Sequence, residues 1–335
     1  SNIFSLFFFL EYLKYPKMKN AIMLSFFISL AICFRVMGVL FPIIYFVFYI
    51  LINLNLKNNV NDLVKKIVIP LFLSLLFTYI MWPYLWENPI QNFYNSYFKM
   101  KQFDHGGHNL YFGNIIKSSQ TPWHYPLIWI LITTPIIYIG LFFCGVIKSI
   151  KEISTSKILL NHNNANIVLY YSLLILILSL GAVILLDSTL FNGWRHLYFI
   201  YPFIIFLVLF GLDFVLNFFT KIKIKSFIVF ILVLGLMDIA IWMKHNNPYQ
   251  YVFFNTIGKK INPKNFDLDY WGMSYYQNLN YLLEYENFST AKIWNSSTTK
   301  LFYSLFSLHE KDRQKFVETK NAEDADYWIT NYYLD

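Results

Sequence analysis

The sequence predicts an all-α polytopic membrane protein with about seven complete transmembrane helices and a small C-terminal α/β segment outside the membrane. Of its 335 residues, 57% are hydrophobic and only 14% are charged, and the mean hydropathy is +0.44. A soluble domain carries about 25% charged residues, so the deficit is too large for a soluble core. The apolar residues also fall in long runs, and most lysines fall in short loops between the runs.

The runs themselves set the number of helices, because about 20 apolar residues cross a bilayer. The chain begins inside an apolar run that ends near Leu13, so we expect N-terminal helices of the transmembrane region to be missing. Seven further runs follow, and we expect the transmembrane region to occupy 1–243. The predicted spans are 21–34, 38–54, 67–82, 126–147, 167–186, 198–217 and 226–243.

Lysine placement predicts the orientation of the spans, because cytoplasmic loops are rich in basic residues. Three lysines lie in each of four alternate loops, which we therefore place in the cytoplasm. These loops lie at 14–19, 57–66, 148–157 and 221–225. Loops 83–125 and 187–197 and the C-terminal segment then lie on the periplasmic side. The net charge of +8 is thus a topology signal, and we expect no nucleic-acid partner.

The C-terminal segment 244–335 differs from the rest in containing a long charged run, HEKDRQKFVETKNAEDAD. Its pattern predicts a helix in SYYQNLNYLLEYE, a strand in AKIWNS, a helix in TTKLFYSLFSL and a strand in DYWITNYY. Its length of about 90 residues is sufficient for a small domain.

The stretch FNGWRHLYFIYPF places Trp194, Arg195 and His196 between two apolar runs. An arginine at the edge of the hydrocarbon is costly unless it has a partner, and its planar fork suits phosphate oxygens. Histidine can donate a hydrogen bond or move a proton near neutral pH, and tryptophan can stack on a sugar. We therefore predict a binding site for a lipid phosphate. The alternative is that the arginine and tryptophan only anchor a helix end.

Arg35 interrupts AIMLSFFISLAICFRVMGVLFPIIYF, in which nothing else is charged. It falls on the same side of the membrane as Arg195, so both arginines could converge on one anion. A snorkelling arginine that caps a helical hairpin is an equally good interpretation.

Two polar motifs lie in the loop 83–125. FDHGGHNLYFG contains Asp104, His105 and His108, a set compatible with a divalent metal, although its spacing is loose and a loop that closes over a polar substrate is the better interpretation. No cofactor follows from it with certainty. TPWHYPLIW contains Trp123 and Tyr125, which either wall a sugar pocket or form an interfacial aromatic belt.

Several motifs, taken in order along the chain, resemble bacterial membrane glycosyltransferases of the GT-C superfamily. They are LAICFRVMGVLFP, MWPYLWENPIQNF, TPWHYPLIWILITTP, GWRHLYFIYPF, NPYQYVFFN and LDYWGMSY. The protein-O-mannosyltransferase-like enzymes are the most similar subgroup, and the aminoarabinose transferases of lipid A are more distantly similar.

The resemblance implies that a sugar passes from a polyprenyl-phosphate donor to a glycan, lipid or protein acceptor on the periplasmic face of a bacterial inner membrane. It implies that Arg195 and His196 bind the phosphate with help from Arg35, and that His108, Trp123 and Tyr125 lie near the cavity. The catalytic carboxylate of such enzymes follows the first membrane helix, which is upstream of this chain, so no catalytic residue is assigned.

Two other functions stay open. A transporter or flippase of lipid-linked glycans would share the anionic substrate, but it would need more polar residues deep in the spans than these runs contain. A non-catalytic membrane protein could use the C-terminal segment to bind partners.

Overall fold

The computed structural model describes residues 1–55, 60–101, 107–155 and 164–331. The chain forms two compact units, which we call the helical unit and the mixed unit. The helical unit consists of Ser1–Phe103, Ile137–Thr189 and His196–Val229, and the mixed unit of Asp104–Ile136, Leu190–Arg195 and Phe230–Asp335. This division differs from the predicted boundary at residue 243, because three stretches before that boundary, 104–136, 190–195 and 230–243, fold with the C-terminal residues.

Within the described residues, ten α-helices begin before the C-terminal segment. They are α1 (Asn2–Lys14), α2 (Met18–Phe34), α3 (Leu40–Asn55), α4 (Val60–Met81), α5 (Pro89–Lys101), α6 (Tyr125–Thr133), α7 (Ile136–Thr155), α8 (Asn164–Leu185), α9 (Tyr201–Phe218) and α10 (Ile222–His245). Each predicted span thus contains an α-helix, although not every helix has the length of a complete span.

Within the described residues, four helices are long and apolar enough to cross a membrane. They are Val64–Met81, Ala165–Leu185, Arg195–Phe218 and Ile222–His245. The count rises to five if α6 and α7 together make one broken span. The expectation of seven complete spans is therefore not confirmed. One reason is that α2 has 17 residues, or about 26 Å, against a hydrocarbon core of about 30 Å.

The predicted span 126–147 is interrupted at Thr134 and Pro135. Proline has no N–H, so the carbonyl four residues earlier, that of Leu131, loses its helical donor. The residue before a proline also avoids the helical conformation, and Thr134 is extended, with φ −92° and ψ 136°. Both signals of this interruption, Pro135 and the residue before it, are present in the sequence.

Asn255 supplies the hydrogen bonds that this interruption removes. Its Nδ2 donates to the carbonyl oxygens of Leu131 and Thr134, at 2.6 Å each, and its backbone N–H donates to Ile132 O at 2.9 Å. Its Oδ1 accepts from the N–H groups of Ile257 and Gly258, at 2.9 and 3.0 Å, at the start of α11 (Thr256–Lys260). One buried side chain therefore caps both helix ends.

Small residues let neighbouring helices of the helical unit approach closely. Ser25 Oγ donates to Pro70 O at 2.9 Å and Ser29 Oγ to Ser74 O at 2.7 Å, which joins α2 to α4. Between α7 and α9, a Cβ at Gly145 would overlap the carbonyl of Leu207. Serine and glycine seams of this kind are typical of helix packing in membranes, where apolar burial gives little driving force.

Two further polar contacts complete the helical unit. Pro70 in α4 leaves the carbonyl of Lys66 without a helical donor, and the hydroxyl of Tyr45 donates to it at 3.1 Å. Near the end of α9, Asp213 pairs with Lys148 at 2.7 Å. The carbonyl of Lys66 and the carboxylate of Asp213 are thus both paired with side chains of neighbouring helices.

A hairpin, which the sequence pattern did not predict, forms in the described part of the loop 83–125. Strand β1 (His108–Tyr111) pairs antiparallel with β2 (Asn114–Lys117), and Tyr111 lies opposite Asn114. Phe112 and Gly113 between them have φ values of 51° and 75°, as a two-residue turn with a left-handed pair requires. Four-residue strands give too short an alternation to recognise.

The C-terminal residues confirm the predicted small α/β segment. Three parallel strands lie in the order β4–β3–β5. The elements are α12 (Met273–Tyr285), β3 (Ala291–Asn295), α13 (Phe302–Phe306), α14 (Glu310–Arg313), β4 (Phe316–Glu318) and β5 (Tyr327–Ile329). Strand β4 was missed because its three residues lie in the charged run. Tyr275, Leu279 and Ile293 are central to the core of this segment, each with at most 1% of its surface exposed.

Gly145→Ala tests the seam between α7 and α9. We expect a loss of about 1–3 kcal/mol in the free energy of unfolding, because the added methyl group meets backbone that cannot rotate away. Gly140→Ala in the same helix is the control, since a Cβ there meets nothing within 4 Å. Unfolding of both variants is measured in detergent, and equal stabilities would contradict the proposed seam.

Asn255→Asp tests the capped interruption. Aspartate keeps the acceptor for Ile257 and Gly258 but lacks the donors for Leu131 and Thr134, so we expect a loss of about 3 kcal/mol. Asn280→Asp, which loses one exposed bond to Tyr276 O, should cost much less in the same unfolding measurement. If the two costs are similar, the carbonyls of the interruption do not depend on Asn255.

Candidate functional site

The segment 190–194, which precedes Arg195, is held by hydrogen bonds from the rest of the mixed unit. Asn109, on β1 and fully buried, donates to Leu190 O at 2.8 Å and accepts from Asn192 N at 3.2 Å. Leu190 N donates to Ser118 O at 3.3 Å. The hairpin therefore fixes the path of the chain into Arg195.

Tyr125 and Trp194 complete this anchorage and are themselves buried. The hydroxyl of Tyr125 accepts from Gly193 N at 3.1 Å, and Trp194 Nε1 donates to Thr133 Oγ1 at 2.9 Å. Tyr125 is 0% and Trp194 6% exposed. Neither ring presents a face to a sugar, so the expectation of sugar stacking at Trp194 and of a cavity position for Tyr125 is corrected to a structural role.

The aromatic motif around Tyr125 builds a core rather than a belt or a pocket wall. Phe266 is fully buried, and its ring lies 5.5 Å from that of Trp129 and 5.8 Å from that of Tyr111. Tyr125 lies 5.0 Å from Tyr111. Trp123, by contrast, is 65% exposed and outside this cluster of buried rings.

Arg195 lies among three aromatic rings of the mixed unit. Its guanidinium carbon is 4.5 Å from the ring centre of Phe191, 5.1 Å from Trp271 and 5.8 Å from Tyr270. A cation over an aromatic face gains about 0.5–1 kcal/mol at a partly exposed site. The rings thus hold the charge of this half-buried side chain in a defined position.

His196 meets Arg35 in the helical unit, although 161 positions separate them in the sequence. Arg35 NH1 donates to His196 O at 3.0 Å and lies 3.3 Å from its Nδ1. Guanidinium has donors alone, so Nδ1 acts as the acceptor and the ring proton lies on Nε2. The expectation that Arg35 and Arg195 converge on one anion stays a prediction, and the observed partner of Arg35 is His196.

The remaining predicted residues do not form a metal site within the described part of the chain. His108 starts β1 opposite Lys117, while Asp104 and His105 lie outside the described residues. No group of three or more candidate ligands occurs among the residues that the structure describes. The neighbouring His124 accepts or donates a 2.6 Å hydrogen bond with the hydroxyl of Tyr111.

Asp267 is a residue with functional chemistry that the sequence reasoning missed. It is 2% exposed, and its Oδ1 accepts from Leu110 N at 2.7 Å, while Oδ2 has no hydrogen-bond partner in the described part of the chain. Burial raises its pKa to about 7, partly offset by the bond from Leu110. That proton affinity suits a general base, but so little exposure keeps the carboxylate away from a substrate. The sequence feature that could have indicated Asp267 is the motif NFDLDYW, in which it directly follows Phe266.

Asp269, two residues further on, has a structural role. Its Oδ1 accepts from the hydroxyl of Tyr251 and from Met273 N at 2.9 Å, and its Oδ2 from Ser274 N at 2.8 Å. These bonds satisfy the first N–H groups of α12. Two carboxylates in one short motif therefore have different environments.

Comparison with protein-family models, with curated proteins and with solved structures finds no match for this chain. Its function is therefore argued from the residues and contacts described above.

Asp267→Asn tests the buried carboxylate through the pH dependence of stability. Because the folded pKa, about 7, lies above the ordinary 3.8, the folded state binds the extra proton between those values. Wild-type stability should then fall as the pH rises from about 4 to about 7, by up to about 4 kcal/mol, and stay level above that. Asparagine at position 267 still accepts from Leu110 N, but it does not titrate, so the fall in stability with rising pH should disappear.

The measurement is the thermal unfolding midpoint in detergent at several pH values from 4 to 8.5. Asp324→Asn, an exposed residue of the same unit, controls for the loss of a carboxylate elsewhere. A variant at position 267 with the full wild-type pH dependence would show that Asp267 does not titrate in this range.

Proposed function

We propose that this protein is a glycosyltransferase that takes a sugar from a polyprenyl-phosphate donor and passes it to an acceptor on the non-cytoplasmic face of the membrane. The contact between Arg35 and His196 carries the proposal. It brings together two of the residues expected to hold the donor phosphate, from distant parts of the chain.

The positions of these two residues along their helices support binding at the membrane edge. Arg35 directly follows the apolar helix α2, and His196 lies in the 3-10 turn that leads into the apolar segment ending at Phe218. A polyprenyl phosphate has its tail in the hydrocarbon and its charged group at the headgroup level. Cationic and donor groups at helix ends lie at the same depth.

The chemistry of the pair suits a phosphate ester that becomes a leaving group. Guanidinium donors form charge-assisted hydrogen bonds with phosphate oxygens, and these strengthen as negative charge develops on bond cleavage. His196 positions this cation, because its backbone oxygen and Nδ1 both lie within hydrogen-bond distance of Arg35 NH1. Together they would bind the donor lipid and lower the barrier to sugar transfer.

Arg195, in the mixed unit, is proposed separately as a phosphate-binding residue, as the resemblance implies. Its guanidinium lies over the rings of Phe191 and Trp271, and its planar fork of donors suits phosphate oxygens. The proposal includes a bacterial inner membrane as the location and the segment 244–335 as periplasmic. The long apolar helices are what supports a membrane location.

Arg35→Ala tests the donor site. We expect the affinity for polyprenyl phosphate to fall about tenfold to a hundredfold, because a charge-assisted hydrogen bond contributes about 1.5–3 kcal/mol. Arg35→Lys should recover only part of it, since lysine lacks the planar fork. Binding is measured for the protein in nanodiscs, together with transfer of radiolabelled sugar from polyprenyl-phosphate mannose.

Arg313→Ala is the matched control, because Arg313 stacks on Phe306 in the C-terminal segment. It should bind the lipid as the wild type does. If Arg35→Ala bound polyprenyl phosphate with wild-type affinity, the proposed donor site would be wrong. Movement of a labelled lipid between leaflets, without release of polyprenyl phosphate, would identify a flippase instead.

A further inference from the structure

The mixed unit contains a cavity of about 710 Å³ that none of the predicted site residues lines. It lies between α12, strand β5 and the chain around residues 249–269, and the end of α10 contributes Trp242. Cavities that hold small organic ligands measure about 300–1,000 Å³, so this one has the volume of a binding site.

Aromatic side chains form much of its wall. Tyr281 and Trp328 line it and are 59% and 69% exposed, so their rings are accessible to a ligand. Trp328 is held in place, because its Nε1 donates to Ala322 O at 3.1 Å and its ring packs at 5.3 Å against Trp294. Fixed, exposed aromatic rings are characteristic of recognition surfaces.

Polar groups are interspersed with these rings. Gln277 accepts from the hydroxyl of Tyr249 at 2.5 Å through Oε1, which leaves its Nε2 as a donor at the wall. Asn278 lines the cavity beside it. Ser274 also lines the cavity, and its Oγ is buried without a hydrogen-bond partner among the described residues. A buried hydroxyl of this kind is unfavourable unless a ligand or water forms a hydrogen bond with it.

We propose that this cavity binds a neutral carbohydrate. Sugar rings have apolar C–H faces that stack on aromatic side chains and hydroxyl edges that pair with amides and hydroxyls, and this wall offers both. Its charged lining residues are one lysine, Lys259, and Asp269, whose oxygens already accept from Tyr251, Met273 and Ser274. The wall therefore has no cluster of cations for an anionic ligand.

A lipid chain fits this wall less well than a carbohydrate does. The amide of Gln277 and the hydroxyl of Ser274 would lose water on contact with an acyl chain and gain no hydrogen bond, which is unfavourable. The assignment stands on the cavity alone. If the proposed sugar transfer also holds, the bound carbohydrate is its acceptor.

The experiment is calorimetric titration of the whole protein with mannotriose, N-acetylchitotriose and maltotriose, in a detergent without a sugar headgroup. The wild type should bind at least one of them. Tyr281→Ala should weaken that binding about tenfold through the lost stacking face, and Gln277→Ala should weaken it several-fold.

Matched controls come from the same folded segment. Tyr303→Ala removes a tyrosine that is 71% exposed on α13, outside the cavity, and Gln314→Ala removes an exposed glutamine. Both should bind as the wild type does. Arg35→Ala should also retain carbohydrate binding while it loses polyprenyl phosphate, so the two proposals fail separately.

The assignment would be overturned if no trisaccharide bound the wild type, or if Tyr281→Ala and Gln277→Ala both bound the sugar as tightly as the wild type does. It would also be overturned if the protein bound an acyl-chain probe and none of the sugars. Because Gln277 is exposed and outside the core of the segment, its variant stays informative if Tyr281→Ala folds poorly.

Discussion

The mixed unit depends on the way Asn255 replaces the hydrogen bonds that Pro135 takes away. The proline leaves an unpaired carbonyl in an apolar environment, where water cannot satisfy it. The side-chain amide of Asn255 donates the missing hydrogen bonds and also caps the start of α11. The chain after α10 must therefore return to the end of α6. Phe254 and Phe266, on either side of that return, then pack against Trp129. A local backbone defect thus organises the aromatic core.

The same core explains why two residues with functional appearance are structural. Tyr125 and Trp194 use their polar atoms to hold the segment 190–194, and their rings are covered. Their contribution to any ligand is therefore indirect, through the position of Arg195. Because aromatic residues with a polar tip serve equally well in a core, a belt or a sugar site, burial decides between these roles.

The two units offer different chemistry to ligands. In the helical unit, Ser25, Ser29 and Gly145 lie at helix contacts and Asp213 is paired with Lys148. Arg35 instead contacts His196, at the ends of apolar helices. In the mixed unit, the cavity beside Gln277 and Trp328 combines aromatic faces with neutral polar groups. We propose an anionic lipid headgroup as the ligand of the first and a neutral sugar as the ligand of the second.

By itself, the sequence determined the helical segments and the small C-terminal α/β segment, because hydrophobic period and charge placement are local properties. It also identified Arg35 and His196 as residues out of place in an apolar chain. The tertiary structure decided which apolar runs are long enough to cross a membrane, which aromatic rings are buried, and that Asp267 is enclosed. It decided them because burial and hydrogen bonding arise from residues distant in the chain: Asn255 meets Leu131, and Asp267 meets Leu110. No pattern within a single segment contains those contacts.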